Sequence, residues 1–381
     1  MTEKLYYKDA YIKDFEAVVL SCDKASDKYE VILDKTAFFP EEGGQYSDKG
    51  KIGEVSVVDV REKDGVIIHY TALPLTVGEK VNCSLDFDER YEKMQCHSAE
   101  HILSGLFHKH FGLDNVGFHL GRDDVTMDIS APLGEKELLF IEGLANEAVY
   151  QNVEITSEFP NSDELPTMEY RAKLDLTENV RIVRIGEYDA CACCAPHVRS
   201  TGEIGAIKIL DYTKLRGGLR IHITAGRRAM RYFQEYLDSA KSVSSLLSVP
   251  KSEIVIGVNK LLDDYAALKA EFSEYKLKLV EREAKAVKPT DGNLVVLLED
   301  AGTEQMIAFS NIALDRVLGM LVLISGHDGD YKYVISSKNI DLRAQISEIN
   351  KSLLGRGGGR PNMVQGSFAS SLEDIRKYFN P

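Results

Sequence analysis

The stretch DACACCAPHVRSTGEIG, residues 189–205, carries Cys191, Cys193 and Cys194, half of the six cysteines in a chain of 381 residues, with His197 close behind. Three arrangements put thiols this close together: a disulfide knot, a redox pair or a metal site. The flanks set the fold around them. RIVRIGEYDACACC before and EIGAIKILDYTKLRGGLRIHITAG after are strand-like, rich in Val and Ile and broken by Gly and Asp turns. Upstream, ERYEKMQCHSAEHILSGLFHKHF spaces Met94, Ile102, Leu103, Leu106 and Phe107 as one face of a helix, and GEKELLFIEGLANEAVYQN is a second helical stretch. Strands and helices gathered around one sheet predict an α+β domain over residues 87–228.

Outward from that domain the patterns change. Residues 1–86 hold short strands such as YEVILD, GEVSVVDV and GVIIHYTAL, which predict a small β-barrel, interrupted by the irregular loop DKTAFFPEEGGQYSDKG. Over 229–288, Ile254, Val258, Leu261, Tyr265, Leu268, Phe272, Tyr275 and Leu279 recur at alternating spacings of 4 and 3. That is a heptad seam, and with Pro250 before it the expectation is a helical hairpin or coiled coil serving a homodimer. Residues 289–381 read as a last α/β unit containing GRGGGR, a Gly-rich turn whose backbone amides, with Arg356 and Arg360, would cradle a phosphate.

Composition bounds the compartment and the partners. The N-terminal residues lack the apolar core of a secretory signal, and no apolar run approaches the roughly 18–20 residues of a membrane span. A cytoplasmic protein with no membrane partner is expected. Thiols stay reduced there, so clustered Cys and His read first as metal ligands or catalytic groups. The net charge of −14 argues against a general nucleic-acid binder. Residues 205–231 are an exception, with Lys208, Lys214, Arg216, Arg220, Arg227, Arg228 and Arg231 against the single acid Asp211. This is either a local basic face or a surface balanced by acids elsewhere in the fold.

His97 and His101 stand four apart on the predicted helix, so both imidazoles can reach one ion. Ser98 occupies the place of the Glu in the zinc-protease signature H-E-x-x-H, which removes that reading's general base. Cys193 and His197 are also four apart. Three imidazoles and a thiolate make a donor set suited to Zn2+. On chemistry alone any of Cys191, Cys193 and Cys194 can supply the thiolate.

These residues resemble a known family. HSAEH, followed by C-x-x-x-H-V-x-x-T-G-x-I-G, is similar to the editing domain of alanyl-tRNA synthetase and its free-standing AlaX relatives. TAFFPEEGGQYSDKG resembles the glycine-rich motif of the preceding barrel. RGGLRIHITAG resembles the strand that closes the domain. The heptad helix with GRGGGRPNMVQGS resembles the synthetase's C-terminal DHH-associated domain. The resemblance covers nearly the whole chain and is to the long AlaX type.

The resemblance implies a Zn2+-dependent aminoacyl-tRNA deacylase. It would work without ATP and in trans, since little precedes the first strand, and would remove serine, and secondarily glycine, from alanine tRNA. Its zinc ligands fall on His97, His101, Cys193 and His197, the family spacing selecting Cys193. Ser98, Gln45 and His119 are the expected catalytic or discriminating groups, with Thr36 reaching in from the barrel. Lys214, Arg216, Arg220, Arg356 and Arg360 are the expected tRNA contacts. The alternative from another class is a non-catalytic, zinc-stabilised tRNA-binding or dimerisation protein that kept the fold.

Overall fold

The computed structural model describes residues 1–122, 124–161, 163–172 and 180–380. The chain divides into two compact units, Met1–Ala240 and Lys241–Pro381. The segments expected at 1–86 and 87–228 therefore share one unit, and the 229–288 segment is divided between the two.

The first unit begins with strands β1 (Asp14–Ala25), β2 (Lys28–Leu33), β3 (Gly50–Ile52), β4 (Val55–Lys63), β5 (Val66–Thr71) and β6 (Lys80–Leu85). They close into a barrel in the order β1-β2-β5-β4-β3-β6. Alternation fills it: along β5, Ile67, His69 and Thr71 point inward, and the core is Val19, Val31, Leu33, Phe38, Ile52 and Val60. Burial pushes His69 down to about 4, so its ring is neutral, held by Thr36 Oγ1 at 2.9 Å and the Val31 carbonyl at 3.1 Å. Thr36 is thus spent inside the barrel.

Helix α1 (Phe87–Phe111) follows. Asp86 caps its first turn through Glu89 N–H, and Gly112 ends it at φ 65°. Every residue from Lys93 to Phe107 is buried, so the helix runs through the middle of the unit. Its polar side chains at 95, 97, 98, 100, 101 and 104 must each find a partner there. Around α1 lie β7 (Asn115–Leu120), β8 (Val125–Ile129), α2 (Glu135–Gln151), β9 (Ile155–Glu158), β10 (Ile182–Ile185), β11 (Asp189–Ala192), β12 (Ile207–Leu215) and β13 (Gly218–Ala225). They form one sheet in the order β12-β13-β8-β7 and another in the order β9-β10-β11. A Cβ at Gly105 would stand 2.0 Å from the Tyr188 carbonyl oxygen. The missing side chain lets the β10–β11 turn press against α1.

The barrel is joined to α1 by a buried ion cluster. Asp48 accepts from Arg90 Nε at 2.8 Å and faces Lys93 Nζ at 2.8 Å, all three side chains being fully buried. Arg90 also donates to the carbonyls of Ala10 and Ala37, and Lys93 to that of Ser47.

The unit boundary falls inside α3 (Gly226–Leu247). The second unit continues with α4 (Ile254–Ala286), β14 (Leu294–Leu297), α5 (Thr303–Ala313), β15 (Leu321–His327), β16 (Asp330–Ser336), α6 (Leu342–Ser352), β17 (Gly355–Arg360), β18 (Met363–Phe368) and α7 (Leu372–Phe379). Its sheet runs β14-β15-β16-β18-β17. The core of one face draws on α4 and α5, that of the other on α6 and α7. GRGGGR is therefore an edge strand and not a phosphate-cradling turn. Tyr333 stacks on Phe368 at 4.1 Å, and a Cβ at Gly357 would stand 2.4 Å from the Tyr333 hydroxyl. In α4, the Val258, Leu261, Tyr265, Leu268, Phe272 and Tyr275 side chains of the heptad seam are exposed. Among the described residues no helix is long and apolar enough to cross a membrane.

Burial alone would raise the Asp48 carboxyl, but the Arg90 and Lys93 charges hold it down at about 2. With the folded-state value depressed below the unfolded one of about 3.9, its contribution is complete above roughly pH 4 and is lost as pH falls through about 2. Asp48→Ala strands two buried cations. Urea unfolding at pH 7 should show a loss of about 3–5 kcal/mol, and acid titration of the variant should lack the corresponding limb.

Candidate metal centre

His97 and His101 project from the same face of α1, as their spacing requires. Cys193 and His197 stand on the irregular segment after β11. The four residues offer ligand atoms that all lie within 4.8 Å of one another. Cys193 Sγ is 3.6 Å from His97 Nε2 and 3.4 Å from His197 Nε2. The ring centres of His101 and His197 are 4.7 Å apart, and those of His97 and His197 5.0 Å.

Each imidazole is held by its other nitrogen. His97 Nδ1 meets Gln45 Oε1 at 3.0 Å, His101 Nδ1 meets Asp189 Oδ2 at 2.8 Å, and His197 Nδ1 meets Ser98 Oγ at 3.0 Å. An amide oxygen and a carboxylate can only accept, so His97 and His101 carry their protons on Nδ1. Ser98 Oγ is placed to accept from His197 in the same way. In their neutral, metal-binding forms the three rings would turn Nε2 lone pairs toward the Cys193 sulfur. This is the second-shell arrangement that fixes tautomer and ring direction in metal sites. Arg171 in turn holds Asp189 along one guanidinium edge, Nε donating to Oδ1 at 2.7 Å and Nη2 to Oδ2 at 2.8 Å.

The three cysteines are not equivalent. Burial raises the Cys191 thiol to about 11 and pushes the Cys194 thiol up, further raised by Cys193 and Glu42. Burial acts the same way on Cys193, but the charge that the His97, His101 and His197 rings carry when protonated outweighs it and holds the thiol well below its usual range. Of the three cysteines, Cys193 is the one whose sulfur lies with the His97, His101 and His197 nitrogens in a single group. Cys191 forms a second, overlapping group with His101 and Asp189. Cys96 is buried inside α1 with its sulfur toward the Ala225 carbonyl. Three imidazole nitrogens and one thiolate match the donor set of a tetrahedral divalent ion.

Of the residues expected beside this cluster, Gln45 and Ser98 are there. Ser98 is committed to His197, and Val198 N–H also points to its oxygen at 3.4 Å. Gln45 is fully buried, and its Nε2 has no partner among the described residues. Its loop reaches the cluster because Gly44, at φ 80°, lies against β7, where a Cβ would stand 2.3 Å from the Phe118 carbonyl oxygen. His119 is not brought in. Strand alternation turns Phe118 toward His97, ring centres 4.8 Å apart, and leaves His119 exposed. Thr36 is bound to His69, as described above.

The basic stretch 205–231 is largely neutralised. Lys208 pairs with Glu142, Arg220 with Asp128, Arg227 with Asp88, and Arg228 and Arg231 with Glu92. Lys214 and Arg216, at the β12–β13 turn, are exposed and have no carboxylate partner among the described residues. Arg356 and Arg360 are exposed on β17. Sequence reasoning passed over Asp189 and Arg171; the only signal was an acid four positions before Cys193.

Residues 180–222 match a family described as the threonyl and alanyl tRNA synthetase second additional domain, and residues 3–89 one described as tRNA synthetases class II (A). The alanyl-tRNA editing protein AlaX-L of Pyrococcus horikoshii is 30% identical, with 98% of this chain and 96% of that protein covered. The alanine–tRNA ligase of Halorubrum lacusprofundi is 29% identical over 98% of this chain and 43% of the ligase. The chain thus spans less than half of that enzyme. The C-Ala domain of Aquifex aeolicus alanyl-tRNA synthetase is 21% identical over 23% of this chain and 85% of the domain, with a TM-score of 0.21.

Cys193→Ala should abolish stoichiometric metal binding while Cys194→Ala retains it, measured as metal content after gel filtration. Asp189→Asn should weaken metal affinity about 10–100-fold in a chelator competition.

Proposed function

This chain belongs to the alanyl-tRNA editing family of the AlaX-L type, and we propose that it hydrolyses serine, and secondarily glycine, from mischarged alanine tRNA in trans at a Zn2+ site in the cytoplasm. It is an aminoacyl-tRNA deacylase, an ester hydrolase that protects translation fidelity. The observation that carries the zinc reading is the convergence of three anchored Nε2 atoms and the Cys193 thiolate within 4.8 Å. When bound, zinc supplies a fixed positive charge that favours the oxyanion formed as water attacks the ester.

The chain's own residues supply orientation and selectivity. His97, His101, His197 and Cys193 would hold the ion. Ser98 and Asp189 position His197 and His101 and do not touch substrate. Gln45 is the discriminating group: its buried, unpartnered Nε2 can donate to a serine hydroxyl that alanine lacks. A site built to satisfy such a bond rejects the analogue without it far better than apolar contacts reject one extra atom. Lys214, Arg216, Arg356 and Arg360 would contact tRNA phosphates. Arg220, engaged by Asp128, would contribute less. The C-terminal α/β part, residues 289–381, would be the DHH-associated domain. The exposed heptad seam of α4 would pair with a second copy as a coiled coil.

Purified protein should deacylate Ser-tRNA faster than Gly-tRNA, and both faster than Ala-tRNA, all on the alanine acceptor. Gln45→Leu at saturating metal should lower the serine-over-alanine preference about tenfold. Turnover of none of the three, with tRNA still bound, would favour the non-catalytic reading. Leu268→Glu should convert a dimer to a monomer in sedimentation velocity.

A further inference from the structure

Tyr6, Tyr7, Thr156, Arg181, His197 and Arg199 help line a cavity of about 160 Å3. It shares His197 with the metal cluster but is not used by the chemistry above. Arg181 is only 9% exposed, and among the described residues no carboxylate lies within ion-pair distance of it. One end of its guanidinium clamps the metal-binding segment, Nη1 donating to the carbonyls of Cys193 at 3.0 Å and Ala195 at 2.8 Å. Among the described residues its Nε is buried without a partner, and so is the hydroxyl of Tyr6. Asp9, the one acid among the described residues that line it, is engaged by Arg199 at 3.2 Å.

A buried guanidinium with no carboxylate partner, its charge offset chiefly by the Cys193 sulfur that is itself turned to the metal cluster, is costly unless something anionic joins it. Binding a divalent ion at the neighbouring cluster would add further positive charge. Both unpartnered groups can donate, and a phosphate oxygen accepts such bonds strongly. We propose that this cavity is an oxyanion subsite, seating the phosphodiester that precedes the aminoacylated terminal nucleoside of the acceptor end. Arg181 supplies the charge and Tyr6 a hydrogen bond. The assignment rests on the deacylase reading and specifies how its substrate is held.

The test compares two small substrates of the metal-loaded protein: the 3′-seryl ester of adenosine, which has no phosphate, and that of the dinucleotide CpA, which has one. The dinucleotide ester should show a KM about tenfold lower, with similar kcat. Tyr6→Phe, which keeps the ring's packing and removes only a hydroxyl that has no hydrogen bond among the described residues, should remove most of that gain without changing metal content. Arg181→Lys should do the same, its metal content measured in parallel because of the loop clamp. Inorganic phosphate should compete with the dinucleotide ester and not with the adenosine ester. Equal KM values for the two esters, or a gain untouched by Tyr6→Phe, overturn the subsite and leave the deacylase reading standing. Phosphate inhibiting both esters alike would assign the cavity to a free anion and overturn the phosphodiester. Failure to hydrolyse either ester or charged tRNA overturns the deacylase reading itself.

Discussion

Everything at the centre of the first unit follows from anchoring three imidazoles by their Nδ1 atoms. A free histidine ring can rotate and exchange tautomers, and three of them beside a thiol would not share one geometry. Here Gln45 from the barrel loop, Asp189 from the start of β11 and Ser98 from α1 itself each fix one ring. The anchors come from three separate elements. The cluster is therefore a product of the whole unit's packing and not of a local motif.

That packing explains the unusual helix at its core. α1 buries polar and charged side chains over several turns, which an isolated hydrophobic core would not tolerate. Arg90 and Lys93 are satisfied by Asp48, Gln95 by the Glu203 carbonyl, His97 by Gln45, and Glu100 by Ser104 and by Asn115 of β7. Electrostatics follows the same pattern on the surface, where most cations of the 205–231 stretch have acids of their own. The few left bare, Lys214 and Arg216, are the ones with charge to spend on a partner.

The paired spacings were legible because a helix puts residues four apart on one face, and the alternating heptad of α4 was legible for the same reason. The Cys193–His197 pair has the same spacing on an irregular segment, so its convergence with α1 could not be read from periodicity. Which cysteine binds was hidden from residue chemistry, because the three thiols differ only in what faces them. His119 was expected at the cluster, and one residue of strand parity turns it to solvent instead. Asp189 was invisible because a carboxylate at a strand's start has no signature, and the run of glycines at 355–360 resembles a loop until Tyr333 is seen to need the space. The acids that quench the basic stretch lie far off in sequence, at 88, 92, 128 and 142.

The strand GRGGGR closes one side of the second unit's sheet, and its outer rim is nearly bare backbone. Asn350 caps the Gly357 carbonyl at 3.1 Å, and Arg356 and Arg360 flank the glycines. A rim without side-chain bulk would otherwise be a template for adding a foreign strand. The exposed charges of Arg356 and Arg360 are the gatekeepers this rim offers in place of bulk, and a guard made of charge is one that concentrated salt screens.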